Sequence, residues 1–355
     1  MGQHADRAGR RMRPLGLLLM LLLLSGCGQT PPEIAELSGR TMGTGYSIKL
    51  SPAPPGSRLA ELQRSVEKRL ETINRQMSTY RSDSDLMRFN RSADTDWQAQ
   101  PAAIVELVDR ASAISVLSGG RYDVTVGPLV NLWGFGNSGE RESAPAADEV
   151  RDTLARVGHR QLETRSRPPG LKKSHPQLEV DLSSIAKGWA VDQIAELVRS
   201  AGFSDFLVEI GGELRAHGQK APGLPWRIAI EQPSDEARVV QRIIALQDIA
   251  MATSGDYRNF FTDNGQRYSH TIDPKTGEPV QHRLASVTML AEECATADAW
   301  ATALLALGER LGPELADAQG LKALFIVRVG EGLREQFSRA WLDAGLPAGD
   351  GTQTR

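Results

Sequence analysis

The chain has 355 residues, 41 Lys and Arg against 44 Asp and Glu, 40% hydrophobic residues and two cysteines, a globular composition with room for one large or two modest domains. A net charge of −3 argues against a nucleic-acid binder, and two cysteines exclude a disulfide scaffold or a cysteine-rich zinc module. No apolar run reaches the roughly 18 residues that a membrane-spanning helix needs.

Arg7, Arg10, Arg11 and Arg13 precede an apolar run over 15–24, and Leu24-Ser25-Gly26-Cys27 follows. These are the charged region, the apolar region and the small-residue cleavage site of an export signal, too short to span a bilayer. A cysteine directly after the small residues is the pattern of a bacterial lipobox, in which Cys27 is acylated and becomes residue one of the mature protein. An ordinary signal peptide with an incidental cysteine is the plainer alternative, but it leaves the position of one of only two cysteines unexplained. Residues 1–26 therefore read as a lipoprotein signal peptide and 27–38 as a lipidated tether carrying Thr30-Pro31-Pro32. Two or three acyl chains anchor firmly, at about 0.8 kcal/mol per buried CH₂. The expected location is a bacterial membrane, facing the periplasm, with Gly28 favouring the outer over the inner membrane. Acylation of Cys27 leaves Cys294 without a partner, so no intramolecular disulfide is expected in that oxidising compartment.

Beyond the tether, helical and strand patterns alternate without an internal repeat. Tyr46, Ile48 and Leu50 alternate with Ser47 and Lys49 as a half-buried strand, and Leu59, Leu62, Val66, Leu70 and Ile73 recur at helical spacing. The pattern predicts a helix over 102–117, stopped by Gly119-Gly120. Residues 137–179, with Pro145, Pro168-Pro169-Gly170 and many charges, read as surface excursions. Ser183 or Ser184 is placed to cap a helix over 185–201, with strands following at 206–210, 226–231 and 241–246. A helix over 296–307 and a strand over 324–329 complete the core. Lacking a regular βαβ series, this α/β pattern predicts mixed or antiparallel sheets flanked by helices rather than a doubly wound fold.

Four segments look too specialised for packing alone. Residues 120–136 read as a polar strand followed by Trp133 and Phe135 between glycines. Glycines let backbone approach a flat or phosphorylated ligand, and either ring is suited to stacking; a strand and turn covering the core would use the same residues. Residues 181–192 join Asp181, Ser183, Ser184 and Lys187 at a helix start. There N–H groups and Lys187 suit a phosphate and carbonyls suit a cation, although a simple capped helix looks similar. His270 precedes a turn signal at Asp273-Pro274-Lys275-Thr276-Gly277; alone, it reads more readily as a structural hydrogen-bonder than as a base. Asp298 and Thr302 are four residues apart and share a helix face. They are hard oxygen donors suited to Mg²⁺ and poor for Zn²⁺, the alternative being a metal-free Asp–Thr hydrogen bond.

The order of these segments resembles the FAD:protein FMN transferase (ApbE) family of bacterial lipoproteins. The resemblance takes in Thr41-Met42-Gly43-Thr44, Met77-Ser78-Thr79-Tyr80, Ser84-Asp85-Leu86 with Phe89-Asn90, residues 120–136, 181–192, Glu209-Ile210-Gly211-Gly212-Glu213, Thr253-Ser254-Gly255-Asp256-Tyr257, 269–277 and 298–302. Each motif is weak alone, but nine in collinear order are specific.

That resemblance implies a Mg²⁺-dependent enzyme that moves FMN from FAD onto a threonine or serine hydroxyl of an exported acceptor protein, releasing AMP. It implies a catalytic domain over 39–345 with a fold related to the tunnelling fold, FAD lying between a larger and a smaller part, and a tail over 346–355. Carried over residue by residue, Asp298 and Thr302 bind Mg²⁺ through side chains, and Ser184 through its carbonyl. Met42, Tyr80, Asp123, Lys187 and Ile272 contact FAD, and His270 assists the incoming hydroxyl. The resemblance points to subunits of Na⁺-translocating NADH:quinone reductase or related electron-transport complexes as acceptors. Two alternatives stand beside it: a Mg²⁺-dependent FAD pyrophosphatase, which would use the same residues, and a flavin-binding lipoprotein without chemistry, which would need neither the metal nor the base and so leaves Asp298, Thr302 and His270 unexplained.

Overall fold

The computed structural model describes residues 33–137, 139, 141–234 and 239–347; the expected signal peptide, Cys27 and most of the expected tail lie outside the described residues. At its centre is an eight-stranded sheet of β1 (Ala35–Thr41), β2 (Thr44–Leu50), β3 (Phe206–Ile210), β4 (Glu213–His217), β5 (Ile249–Gly255), β6 (Leu284–Ala291), β7 (Lys322–Val329) and β8 (Gly332–Phe337). The strands lie side by side in chain order, and every neighbouring pair is antiparallel. The sheet is thus the antiparallel alternative that the sequence allowed. β2 shows the period-2 alternation expected of it, with Tyr46, Ile48 and Leu50 buried. Central β6 is buried from Leu284 to Leu290 because both faces of the sheet are covered.

The helices are α1 (Gly56–Met77), α2 (Asp85–Arg91), α3 (Ala102–Leu117), α4 (Gly127–Leu132), α5 (Ala147–Leu154), α6 (Ala186–Ser200), α7 (Cys294–Ala318) and α8 (Arg339–Asp343). The apolar stripes of α1, α6 and α7 cover one face of the sheet, where Val66, Val198 and Leu304 share a core with Ile48, Val208 and Met289. A hairpin of Trp226–Glu231 and Val240–Leu246, together with Trp341 of α8, covers the other face over Leu207, Leu214 and Ile326. A separate cluster of Leu129, Trp133, Val150, Val157 and Ile272 forms a smaller lobe beside the sheet.

Four sequence expectations need correction. Residues 137–179 hold α5 and a hairpin of Leu162–Ser166 with Pro169–Lys173, so the Pro168-Pro169-Gly170 signal marks a strand junction inside regular structure. Residues 120–126 form turns rather than a polar strand, because the Asp123 carboxylate accepts from the Thr125 N–H and hydroxyl and from the His159 N–H, folding the chain back locally. α6 has no side-chain cap, since the Ser183 hydroxyl donates to Asp181 and that of Ser184 to Tyr122. α7 also outruns its expected end at 307: the chain breaks at Gly308 (φ 77°) and resumes helical geometry to Ala318.

Candidate active site

A cavity of about 1000 Å³ lies where one end of the sheet meets the smaller lobe, at the upper limit of typical small-molecule pockets of about 300–1,000 Å³. The sheet contributes the β1–β2 turn, Gly211 and Glu213 around the β3–β4 turn, and Thr253, Ser254 and Gly255 from the end of β5. The lobe contributes Phe135, His270 and Ile272, and α6 and α7 supply Lys187, Asp298 and Thr302. All nine ligand and catalytic positions expected from sequence line this one cavity: Met42, Tyr80, Asp123, Ser184, Lys187, His270, Ile272, Asp298 and Thr302.

Tight packing of α6 on α7 builds the acidic corner. A Cβ on Gly188 would lie 2.4 Å from the Cys294 carbonyl, so only glycine permits the approach. The same closeness lets the Gly188 N–H donate to Asp298 Oδ2 at 2.9 Å. Asp192 fixes the pair from the other side, accepting from the Cys294 and Ala295 N–H groups at 2.9 Å and so capping α7 from a neighbouring helix. Lys187 Nζ lies 3.3 Å from Glu213 Oε1 and 4.0 Å from Asp298 Oδ1. Burial raises the pKa of both carboxyls. Burial also works against the Lys187 charge, but Asp298 and Glu213 together outweigh it and hold the ammonium above its ordinary range.

The donor chemistry fits a hard cation. Asp298 is 2% exposed, Thr302 Oγ1 lies 3.0 Å from Ser254 Oγ, and Ser184 lines the same cavity. Two buried carboxyl groups flank one ammonium here, and Glu213 Oε2 is buried without a hydrogen-bond partner, a polar atom still open to one. Among the described residues no group of three or more His, Cys, Asp and Glu side chains is arranged to hold a metal. A cation at Asp298 would therefore be completed by hydroxyl, carbonyl and ligand or water oxygens, as Mg²⁺ accepts and structural Zn²⁺ does not.

His270 is oriented by one carbonyl. Its backbone N–H donates to Asn259 O at 3.0 Å, and Nδ1 lies 3.1 Å from the same oxygen. A carbonyl only accepts, so Nδ1 carries the proton and Nε2 of the neutral ring is free to take one. The loop that presents Asn259 is braced by a two-pronged Arg328–Asp256 ion pair at 2.8 and 2.6 Å. Burial, aided by the Lys187 charge, pulls the His270 pKa below its ordinary value, which keeps the ring neutral at pH 7.

The expected FAD contacts differ in character. Met42 and Gly43 both have positive φ, 49° and 74°, forming the two-residue turn that joins twisted strands. A methionine held there costs about 1 kcal/mol or more, which marks Met42 as a placed side chain. Tyr80 is 75% exposed at the rim, whereas Ile272 is buried in the lobe core. The Asp123 carboxylate is occupied by internal bonds to Thr125 and His159. Trp133 does not face a ligand, since it is buried against Tyr268 and its Nε1 donates to Gly277 O; of the two proposed stacking rings only Phe135 lines the cavity. Glu213 and Asn259 escaped sequence reasoning. Glu213 stood inside a quoted motif, but nothing in the pattern showed that its carboxylate would be buried against Lys187.

Comparison with known proteins places these features in a family. A model of the ApbE family matches residues 42–325. The chain is 45% identical over 326 residues to the FAD:protein FMN transferase of Vibrio cholerae serotype O1, an alignment covering 91% of this chain and 96% of that protein. It is similar to the solved structure of the flavin transferase ApbE from Vibrio cholerae, with a TM-score of 0.81 and 44% identity over 88% of this chain and 99% of that one. The apo form of the Pseudomonas stutzeri flavinyl transferase ApbE matches with a TM-score of 0.81 and 38% identity, covering 92% and 99%.

Proposed function

Because this chain belongs to the ApbE family, we propose that it is an FAD:protein FMN transferase, joining the FMN half of FAD to a threonine or serine hydroxyl of an acceptor protein and releasing AMP. The observation that carries this reading is the convergence of all nine family-implied positions on one cavity.

The acceptor oxygen attacks the FMN phosphorus, the new P–O bond replaces the bond to AMP, and the hydroxyl proton passes to His270 Nε2. A neutral hydroxyl is a poor nucleophile at pH 7, and a positioned base contributes typically about 10²–10⁴ in rate. Lys187 lies where an ammonium can meet the diphosphate, and Tyr80 and Phe135 offer ring faces to the flavin or adenine. Asp298, Thr302 and the Ser184 carbonyl would hold Mg²⁺. When bound, that ion neutralises the diphosphate and aligns it for in-line displacement.

We further propose that the protein is exported and held by lipid on Cys27, and that its acceptors are exported proteins, with subunits of Na⁺-translocating NADH:quinone reductase as candidates. Among the described residues no helix is long and apolar enough to cross a membrane; the anchor in this reading is the acyl chains on Cys27. Incubation with FAD, Mg²⁺ and a candidate acceptor, followed by denaturing electrophoresis and in-gel flavin fluorescence, tests the transfer. A fluorescent acceptor band is expected. Free FMN and AMP without such a band would assign hydrolysis instead.

A further inference from the structure

The acidic corner holds one more charge relation than the transfer reaction requires. Lys187 is the only cation within ion-pair distance of Asp298 among the described residues, at 4.0 Å, and it is held more closely by Glu213, at 3.3 Å. Asp298 Oδ2 already accepts the Gly188 N–H, which makes Oδ1, the oxygen nearer Lys187, the more open of the two to a metal. An ammonium and a divalent ion cannot both sit on that oxygen without strong mutual repulsion. Glu213 is 4% exposed, it lines the same cavity, and its Oε2 has no partner.

We propose that Lys187 is a resident counter-ion that competes with the divalent cation for Asp298, and that Glu213 is the positioning residue that takes the ammonium when the cation binds. The inference rests on the placement of the metal at Asp298 in the reading above. Glu213 offers Lys187 two oxygens, one already within ion-pair distance and one unpartnered, so a small shift of the ammonium frees Asp298 without leaving a buried charge unpaired. The displaced ammonium stays inside the cavity, where the diphosphate of FAD can meet it. Glu213 thereby sets metal affinity without touching the metal.

The test is Mn²⁺ binding to the full chain without FAD, followed by the loss of the free Mn²⁺ electron paramagnetic resonance signal, with melting temperatures recorded for each variant. Glu213→Gln keeps the side-chain shape but removes the alternative seat, so Lys187 falls back on Asp298 and Mn²⁺ affinity should drop about tenfold, well within what a close charge pair supplies. Lys187→Met removes the competitor and should tighten Mn²⁺ binding relative to the parent. The double variant should recover the affinity lost in Glu213→Gln. If the double variant stays as weak as Glu213→Gln, Glu213 is itself a metal ligand and the inference is overturned. Unchanged Mn²⁺ affinity in both single variants overturns it too, as does a parent that binds no Mn²⁺ without FAD. Asp298→Ala separates the two levels of argument. Loss of Mn²⁺ in that variant, with no response to the other two, refutes the competition alone and leaves the transferase reading standing.

Discussion

Lys173→Met tests how the cavity wall is held. The Lys173 side chain is fully buried, and its ammonium donates to the carbonyls of Phe89 and Asn90 at 3.2 Å and of Leu178 at 3.0 Å, over the Phe89 ring at 5.0 Å. Next to it, Asn90 clasps the same strip of chain, donating to Val180 O at 2.9 Å and accepting from the Val180 N–H at 2.8 Å. Together they fix residues 178–180, which lead directly into the cavity wall at Asp181, Ser183 and Ser184. Methionine conserves length but donates nothing. The Phe89 carbonyl keeps the Ser92 N–H, whereas those of Asn90 and Leu178 lose their ammonium partner. At about 1–3 kcal/mol for each orphaned buried acceptor the loss is about 2–6 kcal/mol. It is offset in part because the variant no longer buries an ammonium, a burial that already lowers the Lys173 pKa. A net destabilisation of about 2–4 kcal/mol should lower the melting temperature by roughly 3–6 °C. Chemical and thermal denaturation measure the first effect, and FAD titration of the folded variant should show weaker binding. A variant within about 0.5 kcal/mol of the parent, the range of ordinary surface changes, with normal FAD affinity would refute the reasoning.

Four further outcomes are expected. His270→Ala should reduce the transfer rate by about 10²–10⁴ while leaving FAD affinity within a few-fold, and His270→Asn, which can still donate to Asn259 O, should be equally slow but closer to the parent in stability; collapse of FAD binding in both would make His270 a ligand. Since burial lowers the His270 pKa, the base stays unprotonated to lower pH than a free imidazole, so the acid limb of kcat/KM should lie below about 6.5; a limb above that value contradicts the assignment. Asp298→Ala should remove most Mg²⁺ dependence along with activity, whereas Thr302→Val should be partly rescued by raised Mg²⁺, because water replaces a neutral oxygen more readily than a carboxylate; Mg²⁺ titrations of the transfer rate separate the two. Cys27→Ser should move the protein from the membrane to the soluble fraction, and a variant that stays membrane-bound through a high-salt wash would sink the lipid anchor.

Where local signals were strong, the sequence located elements closely. α3 occupies 102–117 as expected because Pro101 and Gly119-Gly120 bracket an unbroken apolar pattern, and β3 occupies 206–210 because its residues are almost all buried. The strip 137–179 misled because its hairpin is short and polar and turns through consecutive prolines, so composition spoke for a loop while long-range pairing made a sheet. The serines before α6 illustrate a different failure. Their hydroxyls had nearer partners in Asp181 and Tyr122 than the helix N–H groups, a choice that only tertiary packing makes. For the site, collinear motifs brought out nine lining positions, but the Glu213–Lys187 contact joins residues far apart in the chain and the Asn259 carbonyl has no side-chain signature.

The strand order constrains how this chain folds. Three neighbouring pairs are joined by two residues, Met42-Gly43 between β1 and β2, Gly211-Gly212 between β3 and β4 and Gly330-Glu331 between β7 and β8, and three more by 28 to 31 residues. Leu50 and Phe206, however, pair across β2 and β3 with residues 51–205 looped out between them. Closure entropy rises by about 0.6 kcal/mol for each doubling of loop length, so this junction costs about 4 kcal/mol more than a two-residue turn. During synthesis the first hairpin therefore waits, with one edge of β2 unpaired, until about 150 more residues have emerged. An edge of that kind invites pairing with other chains. Joining β2 to β3 is the expected slow step, and because cavity residues lie on both sides of that seam, the site is completed only when it closes.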